Sequence, residues 1–417
     1  MLEESEDSED NTANINTFQD NEFYIAIMDE DLAHIDSKSK MYGSNFLIKI
    51  QDGARIKVNH KGLAVHPLHL AASYRRVRSM KSLLTAGADP DMRDRQGRTT
   101  LHLIITSWPH VQSTKAHSKL RTSASSLQQR AEACLHVLCD HGANVNAEVD
   151  GEDHQTALHL CVRYAIPPAI QMLANYGAEI NVMDRKGMTP LHMASGMLDT
   201  DTTACLIRHG ANVNMVVKHS GNTPLHLAAL AATTRNRKTL ENDFSCLSEL
   251  LEHGANPDAV NNAGMTPLHE ACSSGNEALV DLLLSYGADI NKRTKAGENC
   301  LFLILDHKSN MRHRSLLDKV LSLTSPLIVY NRKGLLPATL MLPQFIKLGL
   351  ELLNLARQPR KLKDICKIQI YLKYSRGKTE ELRQILPKKL YDFVFNNWEN
   401  TNSVFSVKCG LPPLPWH

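Results

Sequence analysis

The sequence predicts an all-α fold, a solenoid of helix-turn-helix units joined by β-turn loops, and three observations lead there. First, one heptapeptide recurs: "HPLHLAA" from His66, "TTLHLII" from Thr99, "TALHLCV" from Thr156, "TPLHMAS" from Thr189, "TPLHLAA" from Thr223 and "TPLHEAC" from Thr266. Second, the spacing is 33 residues from 66 to 99, 156 to 189 and 266 to 299, and 34 from 189 to 223. Third, a Gly-Ala pair follows 21 residues after the heptad start, at Gly87, Gly177, Gly210 and Gly287. Two independent markers in one phase define a repeat, and a period of this length means a stacked array.

Each element of the unit has a physical reason. Thr at the N-cap offers an oxygen to an orphan backbone N–H, and Pro at the first helical position costs no hydrogen bond. Leu and Ala then give a narrow apolar face. A second helix follows, as in "EALVDLLLSYG", with Leu279, Val280, Leu282, Leu283 and Leu284 apolar. Gly287 ends it, because glycine takes the left-handed conformation without steric cost. One such pair cannot bury its own core, so neighbours must stack.

The heptad and its period resemble the ankyrin repeat, over about residues 60–345 as eight units, the last two ("NCLFLIL" from Asn299, "LPATLML" from Leu336) degenerate. The segment Asn21–Ile35 reads as a helix opening an N-terminal cap that spans 19–59. Residues 1–18, with six carboxylates and no base in the first ten, and the tail 399–417 are expected to be disordered. Two insertions break the period, near 109–130 (an excess of 22 residues) and 231–243 (an excess of 10), and both are expected to be structureless. The nine cysteines sit singly in apolar segments such as those of Cys134, Cys139, Cys161, Cys205, Cys246 and Cys272. Such usage suits buried thiols in a reducing compartment, so a cytoplasmic or nuclear location is expected.

The histidines of the heptad, His69, His102, His159, His192, His226 and His269, invite a metal reading. Their register places each roughly 10 Å from the next, the spacing of packed helices, which no shared ion spans. The family resemblance instead implies a structural hydrogen-bonding role for all six. No phosphate loop, nucleophile elbow or paired zinc-spaced cysteines occur, so no enzyme, catalytic residue, metal or cofactor is expected. Lysines near the C-terminus interleave with aliphatics rather than aromatics, which reads as the solvated face of amphipathic helices and not as a nucleic-acid site. No apolar run is long enough for a membrane span. The chain is expected to be a monomer in isolation.

For an ankyrin array the resemblance implies protein partners on a concave face made by loop tips and first helices. The matching tips are Arg93, Asp94, Arg95 and Gln96; Asp184, Arg185 and Lys186; Lys218 and His219; Asn261 and Asn262; Arg293, Thr294 and Lys295. They lean basic, so an acidic or mixed-charge partner is expected.

Residues 346–398 are a different kind of sequence, with eleven Lys and Arg but only three acids between 357 and 389. In "KLKDICKIQIYL" (361–372), Leu362, Ile365, Cys366 and Gln369 make one helical face, which either caps the array or docks on a partner. Further on, "ILPKKLYDFVF" starts a second helix at Pro387. This order resembles the SOCS box of ankyrin-repeat/SOCS-box proteins, where a Leu-x-x-x-Cys helix enters elongin C and a Leu-Pro segment meets cullin 5. The resemblance implies elongin B/C docking by Leu362, Ile365, Cys366 and Ile370, and cullin 5 contact by Leu386, Pro387 and Leu390. Lys361 and Lys389 depart from that family's pattern, replacing a small or proline residue and the second proline.

Overall fold

The computed structural model describes residues 17–18, 21–49, 64–109, 118–151, 153–234, 244–358, 361–374, 383–384, 386–392 and 394. The expectations of disorder at 235–243, at 399–417 and over 1–16 of the segment 1–18 lie outside these residues, while Thr17 and Phe18, expected to be disordered, form a strand paired with Leu47 and Ile48. Two compact units divide the chain, residues 1–185 and 186–417.

In the first unit, strand β1 (Thr17–Phe18) precedes helices α1 (Asn21–Asp29) and α2 (Leu32–Tyr42), and β2 (Leu47–Lys49) and β3 (Ala64–Val65) follow. β2 pairs parallel with β1 and antiparallel with β3, a small sheet that the sequence pattern does not announce. The single helix expected over 21–35 is two. Glu30 takes φ 58°, and Asp31 opens α2 by accepting from the His34 N–H. Phe23, Ile27 and Ile35 are fully buried beneath this cap. Three repeat pairs follow: α3 (Pro67–Ser73) with α4 (Val77–Thr85), α5 (Thr100–Thr106) with α6 (Ser118–Asp140), and α7 (Ala157–Arg163) with α8 (Pro167–Asn175).

The insertion expected to be structureless at 109–130 is corrected by α6, a single 23-residue helix that begins at Ser118. Its extra turns, "SKLRTSASSLQQR", contain no Gly or Pro and several good helix formers. Serine content resembles a loop only when propensity is ignored. Residues 110–117 lie outside the described set.

The second unit holds α9 (Pro190–Met197) and α10 (Thr200–Arg208), α11 (Pro224–Thr234) and α12 (Ser245–Glu252), α13 (Pro267–Ser274) and α14 (Glu277–Ser285), and α15 (Cys300–Asp306) and α16 (Arg314–Leu323). Of the insertion expected at 231–243, residues 231–234 continue α11. In the eighth repeat the first helix shrinks to 3-10 turns at Ala338–Met341 and Pro343–Phe345, and α17 (Ile346–Arg357) takes the second position. Leu348 and Leu352 of α17 are buried, so the array runs past the expected boundary at 345 to take in this helix. Two short helices, α18 (Leu362–Tyr374) and α19 (Lys388–Tyr391), complete the unit.

The core is aliphatic and repeats with the sequence. Leu68, Leu101, Leu158, Leu191, Leu225, Leu268 and Leu301 occupy one register position and are all at most 2% exposed. Each such side chain is worth about 2–3 kcal/mol of burial.

Candidate functional site

The heptad histidine joins two elements. Thr189 and Thr266 each accept the N3 backbone N–H, while the Nδ1 of His192 and His269 accepts the threonine N–H at 3.2 and 2.9 Å. Nδ1 of these histidines therefore carries no proton, and Nε2–H donates onward: His192 to Met215 O, His226, capped in the same way by Thr223, to Met265 O, and His269 to Lys292 O at 3.0 Å. His69, which has no threonine before it, meets Met92 O through Nε2 at 2.9 Å. His102 and His159 close the same N-cap box with Thr99 and Thr156. Burial pushes His69, His102 and His269 down to about 4, so they are neutral at physiological pH. In the degenerate seventh repeat Asn299 replaces the threonine; it caps Phe302 N–H and sends Nδ2 to Ile328 O, keeping the tie to the following loop. Among the described residues no cluster of three or more His, Cys, Asp or Glu could hold a metal ion, and no helix is long and apolar enough to cross a membrane.

The loop tips divide into residues that build the turn and residues left outside it. Asp94 Oδ1 accepts the N–H groups of Gln96 and Arg98, and Asn261 Oδ1 those of Ala263 and Met265. Arg93 bonds Gly97 O and Glu148 O and pairs with Asp150 at 3.0 Å. Asn262 reaches His219 O, Arg293 reaches Gly297 O, and Asp184 and Thr294 are buried. Successive tips touch closely enough that a Cβ on Gly264 would lie 2.6 Å from Lys295 N, and Gly264 also holds φ +76°. Arg95, Gln96, Arg185, Lys186, Lys218, His219 and Lys295 remain exposed. Half of the expected contact row thus belongs to the turns, since a tip needs internal acceptors for its own N–H groups.

Near the C-terminus, α18 is held by one face only. Ile368 is 1% and Lys367 5% exposed, and burial together with the Asp281 carboxylate pushes the Tyr371 hydroxyl up. Asp281 belongs to α14 and forms an ion pair with Lys319 of α16, so Tyr371 of α18 lies within electrostatic reach of the second helices of the sixth and seventh repeats. The opposite face carries Leu362, 75% exposed, with Cys366 and Gln369 also exposed and Ile365 and Ile370 half-buried. The other seven described cysteines are buried. Pro387 begins α19, with Leu386 half-buried and Leu390 exposed.

The repeats, at residues 68–294, are similar in sequence to those of known proteins. The family model described as "Ankyrin repeats (3 copies)" matches residues 68–184, 167–241 and 237–294, more than half of the chain. The human "Ankyrin repeat and SOCS box protein 16" is 31% identical over 39% of this chain and 42% of its own length. The mouse "B-cell lymphoma 3 protein homolog" is 30% identical over 50% of this chain and 41% of its own. The chain thus spans less than half the length of these curated relatives. The crystal structure of the ankyrin repeat domain of Bcl-3 overlays with a TM-score of 0.48 at 23% identity, covering 62% of this chain and 98% of that one.

Proposed function

The chain belongs to the ankyrin-repeat family, a protein-interaction fold, and on that premise we propose that it is a non-enzymatic adaptor whose repeats hold a target while α18 recruits elongin B/C. The observation that carries the reading is the split of α18 into a seated face around Ile368 and an outward face with Leu362 and Cys366. A helix that only closed an array would turn its leucine inward, because an exposed leucine forgoes about 2 kcal/mol of burial. Sequence likeness over 39% of this chain to a protein named for its ankyrin repeats and SOCS box supports the reading. On this reading the chain is a substrate receptor of a cullin-RING ubiquitin ligase. The cullin 5 contact through Leu386, Pro387 and Leu390 is the further step of the same proposal.

Co-purification tests it. Wild-type protein retains elongin B/C on a column, and the double variant Leu362→Ser, Cys366→Ser loses it while keeping its helical content. Absence of elongin B/C from the wild-type eluate, or its retention by the double variant, sinks the adaptor reading.

A plain scaffold whose last helices only cover the array is the second reading, favoured by the burial of Ile368 and Val394, each 1% exposed. It expects the double variant to leave every interaction intact and Ile368→Ala to unfold the C-terminal repeats.

A further inference from the structure

The fourth residue of each first helix follows the register of the heptad, and it is apolar in the described repeats with one exception. Leu70, Leu103, Leu160, Met193, Leu227 and Leu303 occupy it, whereas the sixth repeat places Glu270 there. In residues 1–185 the three leucines are covered, at 8% exposure or less. In residues 186–417 Leu303 is covered at 9%, whereas Met193, Leu227 and Glu270 are half-buried, and one turn further on Met197 and Leu230 are 38% and 44% exposed. The outward face of α9, α11 and α13 is therefore a contiguous apolar strip that ends on one carboxylate, since consecutive first helices pack side by side in this unit.

That carboxylate is unusual in having nothing to answer its charge. Glu270 makes no side-chain hydrogen bond and no ion pair among the described residues, and burial alone raises it above the ordinary carboxylate range, with no cation acting against the shift. A leucine, as in neighbouring repeats, would fill the same place with no charge to desolvate. The desolvation is offset only when a cation arrives at a site already short of water, where a charge pair counts for more than on an open surface.

We propose that the α9–α11–α13 face binds an amphipathic helical segment of a partner protein, whose leucine-type side chains cover Met197 and Leu230 and whose lysine or arginine pairs with Glu270. The occupant is set by charge complementarity. The strip takes aliphatic side chains spaced three and four apart, as one helix face presents them, and its end takes a positive group. This partner preference is opposite in sign to the one suggested by the basic loop tips. It rests on the interaction-module reading of the repeats and is independent of elongin docking.

The test uses the full chain and three fluorescein-labelled synthetic helices: leucine with lysine, leucine with glutamate, and alanine with lysine. Anisotropy titrations with wild type, Glu270→Gln and Leu230→Ser are compared, with circular dichroism confirming that each variant keeps its helix content. The leucine/lysine helix is expected to bind the wild type best, with Glu270→Gln and Leu230→Ser each weakening it about 5–10-fold, the range for losing one interfacial charge pair or one aliphatic contact. Equal binding of the leucine/glutamate helix, equal binding of the alanine/lysine helix, or unchanged affinity in both variants overturns the assignment. Loss of elongin B/C binding in the Leu362 and Cys366 variants leaves these titrations unaltered, so the two proposals fail separately.

Discussion

Mild acid should weaken this protein through the buried histidines of its heptads. His69, His102 and His269 sit near 4 in the folded chain and near the ordinary 6.5 once unfolded. Because the folded values are depressed, the unfolded chain binds more protons between these limits, and stability falls as pH drops through that window. At pH 5 the unfolded histidine is about 1.5 pH units below its own value and the folded one still neutral, which amounts to about 2 kcal/mol for each residue. Three residues give about 6 kcal/mol between pH 7.5 and 5, two of them in residues 1–185 and one in 186–417. His66 and His226 are depressed too and act with the same sign. Asp94 and Glu277 lie below the ordinary carboxylate range, so their contribution is lost only at lower pH, while Glu270, raised by burial, is relieved on protonation and acts in the opposite direction to the histidines. The assay is urea unfolding followed by far-UV circular dichroism at pH 7.5, 6.5 and 5.0, on wild type and His269→Gln. Gln at N3 can still close the cap and donate to Lys292 O but does not titrate. The variant should therefore lose about 2 kcal/mol less than wild type over the same interval. A wild type whose stability is flat to pH 5, or a variant as acid-sensitive as wild type, would refute the assignment of neutral, Nε2-protonated histidines.

Other outcomes follow from the same geometry. Asn261→Ala removes the acceptor for two tip N–H groups and should cost about 1–3 kcal/mol, read as a shift in the urea midpoint. Gly264→Ala meets Lys295 N at 2.6 Å and a left-handed φ; a loss of more than about 1 kcal/mol is expected in the same measurement, and a neutral result would contradict the close approach of the two tips. Ile368→Ala should destabilise by about 2–4 kcal/mol, whereas Leu362→Ser should fall within about 0.5 kcal/mol of wild type. Thiol labelling of the native protein should lose one fast equivalent in Cys366→Ser and none in Cys134→Ser or Cys139→Ser, whose buried thiols are pushed up to about 12.

The repeat itself was decided by local chemistry. Threonine, proline and histidine at fixed offsets are a cap, a first-turn residue and a tie to the next loop, and glycine at a fixed distance is a helix stop. The cap, the first-turn proline and the stop depend on neighbours a few residues away, so the heptad places the helices and their core leucines, whereas the histidine tie spans 23 to 39 residues and came from the family resemblance. The long helix at Ser118–Asp140 was equally available to a reading by propensity, and was hidden by its serine content. The second position filled by α17 was also within reach of periodicity, since Leu348 and Leu352 stand four apart.

What tertiary structure alone decided is which side chains remain outside. Arg93 and Lys295 read alike as basic loop tips and both are exposed, yet Arg93 is tied to Glu148 O and Asp150. Leu362 and Ile368 are both aliphatic residues of one short helix, and only the tertiary structure buries the second and leaves the first to solvent. Glu270 looks like an ordinary charged residue until its burial and lack of a partner are seen. Sequence offsets fix hydrogen bonds within a turn; exposure and pairing depend on residues tens of positions away, which no local pattern contains.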